Sequence, residues 1–516
     1  MRLLFFLLLL TPSAFYAWKN RDMPEFGKLH DDGILFVSAK SIATGQGFRI
    51  LSLPERPAQT KYPVLYPLYL SLIWRVNGNF PENLGTARWF SWPLLVLSLV
   101  LSWLYWRDEK WSWVVVAILA VSPYMILFGC GLFSEVFFLC WLLAALLAGR
   151  REGVSMVLFA GVLAGLAYLT RTAGVALMIS MPAYYLWRRE WRRALAFAAG
   201  MLPFILGWGL WSAAHKFPSS TTTLAYYTDY VKFQFLNVGF DNLAVVLWKN
   251  TDELLYSIGS LIVPQVVALL PVKILTQVIA IAMISGIVRL ARRGIAVPYA
   301  LFALVSSAML VVWHFPPTER FVLPIFPLLA AGLVVELEHL TQMLRAAFRH
   351  KDLGQRVVAR GFALVVLAIF GGALLLEFFV TFKAMPDQTS ADRTRLAETR
   401  ETYAWIAQHL PLGAGILSND DPLLYLYTGH PGNYSPLMPR WWYAGDHDKV
   451  IAFFKDVAPY CRTRGFDYIL ATEFDVSRWG GEEDAPAVER AMQDNPQLER
   501  LYQARSGATI YRIRPQ

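Results

Sequence analysis

Charge is what this sequence has least of. Only 16% of its 516 residues are charged, against 56% hydrophobic, where a soluble chain carries about a quarter charged residues. Mean hydropathy is +0.40, and the apolar residues are clumped into long runs, which excludes an ordinary soluble enzyme and points to membrane spans. Cysteine is scarce as well. Cys130, Cys140 and Cys461 are the only three, so there is no disulfide framework and no zinc-ligand spacing; Cys140, inside an apolar run, reads as a small core residue. The chain also lacks internal repeats and low-complexity tracts. Inside the apolar runs acids are nearly missing, Glu377 being the one well within a span. A pump or ion-coupled transporter needs charges near the bilayer midplane.

Leu3–Trp18 is apolar behind Arg2, and Ala14-Phe15-Tyr16-Ala17 has the shape of a signal-peptidase site. We read it as a first span instead, because no mature soluble domain follows. Further spans read as Trp89–Trp106, Trp111–Phe128, Phe133–Ala148, Val154–Thr170, Thr172–Trp187, Leu195–Ala213, Ile274–Arg289, Ala296–Trp313, Phe321–Leu337 and Phe362–Phe382. That is about eleven, against the ~20 residues needed to cross. The chain therefore divides into a transmembrane domain, 1–382, and a mixed polar segment, 383–516. Two long loops interrupt the first part, 19–88 and 214–271. In the second part, Ala391–Leu410 predicts a helix, and Gly415–Ser418, Tyr468–Thr472 and Thr509–Ile513 predict strands of a small α/β domain.

The net charge of +9 does not indicate nucleic acid, because the arginines sit in short loops between apolar runs. Arg150 and Arg151, then Arg188 to Arg193, then Arg289 to Arg293, then Arg345 to Arg360 fall on one side if spans alternate. By the positive-inside rule that side is the cytoplasm. The amino end is then inside, and both long loops and 383–516 are outside.

The suspicious polar residues fall on that outer side. His30-Asp31-Asp32-Gly33 opens a short amphipathic run, Ile34 to Ala43, that closes at Gly45-Gln46-Gly47-Phe48. Adjacent acids at a helix start also serve as caps and suit its dipole. Lys61-Tyr62-Pro63-Val64-Leu65-Tyr66-Pro67 reads as a kinked entry into an interfacial helix. Glu135 follows Ser134 at the start of a span, where an ionisable group is either an ordinary helix opening or functional. Arg171 lies in a tight turn, and His314, Glu319 and Arg320 lie in a Pro-Pro turn; snorkelling explains either arginine equally well. Asn419-Asp420-Asp421-Pro422 is a second acid pair, with the spacing of a helix cap. Charges gathered at the outer head-group level suit chemistry on a lipid-linked phosphate, with carboxylates as bases and arginines as phosphate ligands.

These motifs, in this order, resemble the GT-C class of glycosyltransferases, polytopic enzymes that use polyprenyl- or dolichyl-phosphate sugars. The similarity is to the branch with the protein O-mannosyltransferases, the lipid A aminoarabinose transferase and family 39-like and 83-like members. It covers roughly 1–380. It rests on Asp31-Asp32, Gly45-Gln46-Gly47-Phe48, the Lys61–Pro67 run, Ser134-Glu135, Leu169-Thr170-Arg171 and Arg320-Phe321-Val322-Leu323-Pro324. Leu35 replaces the family tyrosine, and Val64 replaces a proline.

The resemblance implies an inverting glycosyltransferase that moves one sugar from a polyprenyl phosphate to a glycan, lipid or protein hydroxyl. It implies Asp31 as base, Asp32 orienting the acceptor, and Glu135 as a second acid. It implies Arg171 and Arg320, with His314, holding the phosphate, and Lys61 and Tyr62 contacting substrate. Asp32 and Glu135 are candidates for a divalent metal, which some members of the class do without. The partners expected are the lipid-linked donor, the acceptor and membrane lipids, and no nucleic acid. A flippase or transporter of lipid-linked glycan, or an O-antigen polymerase or ligase, are the alternatives; a flippase does not need Asp31.

Overall fold

The computed structural model describes residues 2–515 apart from 219–221, 230–232, 234–238, 265–269, 314, 350–352, 434–440 and 442–444. Two compact units emerge, each discontinuous in sequence. The first comprises 1–21, 88–207 and 247–388; the second comprises 22–87, 208–246 and 389–516.

The first unit is helical, and a helix occupies every position where a span was expected within it. Among the described residues, length and apolarity alone give five helices able to span, or six if the bent pair Ser112–Val121 and Pro123–Cys130 is one span. Three more of the expected spans, Ser134–Gly149, Val154–Thr170 and Val297–Val311, are apolar helices shorter than 18 residues, and Arg2–Lys19 and Val175–Trp187 are helices at two others. Tight polar turns cut the three short ones. The helices also differ in what they bury. The span within Glu319–Phe348 is 72% buried, and the one within Arg356–His409 only 11%, with Leu364, Leu367, Leu374 and Leu375 all well exposed. Apolar side chains turned outward along a helix are what lipid contact requires. Together these helices make the chain a multi-pass membrane protein.

Close backbone approach brings Leu270–Arg292 against Phe326–Phe348. A Cβ on Gly286 would stand 1.8 Å from the Gly332 carbonyl oxygen, so only glycine fits. Small residues at such crossings let dispersion and weak polar contacts replace the hydrophobic drive that lipid removes. Two buried polar side chains fix the turns between helices. Arg88 donates to the carbonyls of Asn20 and Cys130. Asn250 donates to the carbonyls of Leu310, Val311 and Trp313, at the end of Val297–Val311. Glu377 is buried in its helix, with no hydrogen-bond partner for Oε1 among the described residues.

The second unit gathers much of the two long loops and most of the carboxyl-terminal segment. Its sheet has four strands, β1 (Gly415–Leu417), β2 (Phe466–Ala471), β3 (Leu498–Gln503) and β4 (Thr509–Ile513), in the order β1-β2-β4-β3. β1 and β2 run parallel; β4 is antiparallel to β2 and β3. Three of these strands match the sequence reading, and β3 does not. It is an edge strand whose Glu499, Arg500 and Leu501 are exposed, so it shows neither the apolar run nor the alternation that marks a strand. The expected 391–410 helix begins earlier, at Met385. Cys461, at the sheet core with Phe454 and Ile469, is fully buried.

Candidate functional site

In the second unit the helix Asp31–Ala43 starts at His30, which takes a left-handed φ of 60°. The two acids that follow part company. Asp32 is 1% exposed, with Oδ2 accepting from the Gly27 N–H at 2.8 Å and Oδ1 from the Gly33 N–H at 2.9 Å. It is a clip that closes the loop. Asp31 is half-buried, and its Oδ1 accepts from the Tyr62 hydroxyl. The Lys61-Tyr62 turn is set by Gln59, whose Oε1 accepts both backbone N–H groups and whose amide reaches Ser38. Lys61 places its ammonium 3.3 Å from the Tyr226 ring centroid, a cation–π contact on an aromatic wall.

The second acid pair belongs to this neighbourhood, which the sequence reading missed. Asp421 opens the helix Asp421–Thr428 and is fully buried. Its Oδ1 takes His30 Nε2 at 2.8 Å and the Tyr227 hydroxyl at 2.7 Å. The loop and helix press together hard enough that a Cβ on Gly27, at φ +83°, would meet Leu423 at 2.3 Å. Pro422, the residue that suggested a simple cap, lies against Gly33. Asp420, beside it, is buried too, and burial pushes its carboxyl well above the usual range despite Arg395 acting the other way.

In the first unit three expected residues meet. Glu135, the second residue of Ser134–Gly149, is fully buried. Its Oε1 accepts from Arg171 Nη1 and from Arg320 Nε. Arg171 also donates to Ser134 Oγ at 2.9 Å. Arg171 has extended dihedrals, φ −146° and ψ 133°, where Val154–Thr170 ends; Arg320 lies in the short helix Glu319–Val322. Neither is a snorkelling side chain, since Arg320 is 8% exposed and both are ion-paired. Glu135 Oε2 has no hydrogen-bond partner among the described residues. Two cations on one carboxylate leave the cluster net positive, and removing one member of such a buried group costs about 3–5 kcal/mol. The neighbouring Glu319 Oε1 accepts from Ser260 at 2.8 Å and Tyr124 at 3.3 Å. His314 lies outside the described residues.

The donor set does not suit a metal ion. Both Asp32 oxygens accept backbone N–H groups, and Glu135 already faces two guanidinium groups. Among the described residues no three His, Cys, Asp or Glu side chains come together to hold a cation.

The architecture is GT-C-like, a helical membrane fold with a small carboxyl-terminal sheet. ArnT of Cupriavidus metallidurans bound to undecaprenyl phosphate has a similar structure, with a TM-score of 0.52, 12% identity, and coverage of 94% of this chain and 95% of that one. Apo ArnT of the same organism gives 0.47, at 13% identity and 94% of both chains. The mycobacterial arabinofuranosyltransferase AftD gives 0.48, at 15% identity, over 99% of this chain and 40% of that one. No protein-family model matches the chain, and no curated protein matches it in sequence.

Proposed function

We propose that this protein is a membrane glycosyltransferase that moves a sugar from a polyprenyl phosphate to an acceptor hydroxyl on the non-cytoplasmic side, with inversion. The observation that carries the reading is the buried, net-positive Glu135–Arg171–Arg320 cluster on a fold like that of a protein that binds undecaprenyl phosphate. Paired guanidinium groups grip two phosphate oxygens at once, and a fixed carboxylate keeps both planes in place. On this reading Glu135 organises the arginines.

Asp31 is the base. It is half-buried, with one oxygen oriented by Tyr62. It takes the proton from the acceptor hydroxyl as that oxygen bonds to the anomeric carbon. The bond from that carbon to the phosphate oxygen breaks, and the electron pair leaves with the lipid phosphate. The conjugate acid of that leaving group is strong, so no general acid is needed. Asp32 holds the loop that presents Asp31. Arginine-rich short loops support about eleven crossings with the amino end inside and 383–516 outside.

The test is sugar transfer from a synthetic polyprenyl-phosphate sugar in membranes carrying wild-type or Asp31→Asn protein. Loss of transfer at normal expression supports the proposal. Full activity removes the base and favours a polymerase or ligase that works through its arginines. Glycan movement across the bilayer without any transfer identifies a flippase.

A further inference from the structure

The second unit contains an open-mouthed cavity of about 750 Å³ bordered by the helix Met385–His409, the sheet and the helix Glu473–Gln493. That volume lies within the range of small-molecule sites, about 300–1,000 Å³, and neither the base nor the arginine cluster lines it. Two acids meet there with different fates. Asp475 is fully satisfied: Oδ1 accepts from Ser418 and the Asn419 N–H, Oδ2 from Thr472. Asp420 is 5% exposed, and its Oδ1 has no hydrogen-bond partner among the described residues. A buried polar atom left open in a folded domain calls for a reason, and an occupant of the cavity supplies one.

The lining selects that occupant. Glu398, Glu473 and Glu489 stand against Arg395, which disfavours an anion. Burial keeps the Asp420 carboxyl toward its protonated form, although Arg395 opposes this. At this wall the open Asp420 Oδ1 offers a hydrogen-bond acceptor to a sugar hydroxyl. Tyr403 and Tyr511, each 3% exposed, also border the space, and apolar ring edges suit the C–H groups of a pyranose.

We propose that this cavity is a binding site for an uncharged saccharide, held by Asp420 and separate from the transfer chemistry.

Saturation-transfer NMR on the full chain in phosphatidylcholine nanodiscs tests it. The probes are glucose, galactose, mannose and N-acetylglucosamine, with glucuronic acid and glucosamine as charged comparators. At least one neutral sugar is expected to bind. Asp420→Leu and Thr399→Trp, which fills the cavity from the helix, are each expected to weaken binding at least tenfold, and Asp420→Asn less than threefold. Because Thr399 is only half-buried, its variant carries the test even if Asp420→Leu does not fold. Binding of no neutral sugar, binding of a charged comparator alone, or unchanged binding in Thr399→Trp overturns the proposal. Sugar transfer is not read, so this outcome is independent of the role given to Asp31.

Discussion

Arg171 and Arg320 donate to the same atom, Oε1 of Glu135. One carboxylate oxygen thus sets the separation of two guanidinium groups that enter from turns 149 residues apart in sequence (320 − 171).

Arginine and lysine then differ predictably. Arg320→Lys keeps the charge but loses the planar fork, so transfer is expected to fall on the order of tenfold, and Arg320→Ala on the order of 10²-fold, the scale of a lost charge-assisted contact of about 1.5–3 kcal/mol. Donor-dependent kinetics at matched expression check this. Equal rates in all three proteins would remove Arg320 from phosphate binding.

Glu135→Gln separates an organiser from a reacting acid. The amide keeps the volume but leaves two cations uncompensated, so both thermal stability and donor KM are expected to worsen. Combining it with Arg320→Ala should cost less than the sum of the two single changes, because they share one contact. Strict additivity in the double-mutant cycle would contradict the shared role.

Asp31→Asn preserves the helix-start geometry and removes the base. A drop of about 10²-fold or more in transfer is expected, with Tyr62→Phe giving a smaller loss in kcat at unchanged donor KM. Full activity in Asp31→Asn reduces the residue to a cap.

Asp420 gives a pH prediction. Burial raises its folded pKa above the unfolded value near ~3.9. Between those two values the folded state holds more protons than the unfolded state, so stability falls as pH rises through the window. Arg395, Asp475, Asp32 and Asp421 all act on this carboxyl. Asp420→Asn is expected to raise Tm at pH 7 and to leave it nearly unchanged at pH 3.5. A Tm gain of equal size at both pH values would mean that the carboxyl does not titrate this way.

Orientation is testable without touching the site. Cys461 is buried, so thiol labelling there reads packing and not sidedness. A protease-sensitive tag fused after residue 516 is expected to be cleaved from outside intact cells. A tag protected until the membrane is broken would reverse the assigned orientation.

Single residues were more legible in the sequence than their pairings. Glu135, Arg171 and Arg320 each stand out as a charge beside an apolar run, but Glu135 lies 36 and 185 residues from its two partners. No periodicity reaches that far. Asp421 looked like a cap because its local context, Asp-Asp-Pro, is a capping signal; its bond to His30 spans 391 positions. Helix positions were legible because apolar runs are local, whereas several of these helices are shorter than the usual bilayer crossing. The edge strand β3 escaped because its exposed side chains carry no burial pattern.

The second unit is assembled from 22–87, 208–246 and 389–516, and this has a consequence for how the protein is made. The Asp31 loop emerges from the ribosome long before the segment that carries Asp421. Roughly 300 residues separate the end of the first piece from the start of the last (389 − 87), which at about 5–20 residues per second is a wait of roughly 15–60 s. Throughout that interval Gly27, Gly33 and His30 have no Leu423, Pro422 or Asp421 to close upon. The acid pair is therefore completed late in biosynthesis, and a chain released before residue 421 would be inserted in the membrane yet leave this loop unfinished.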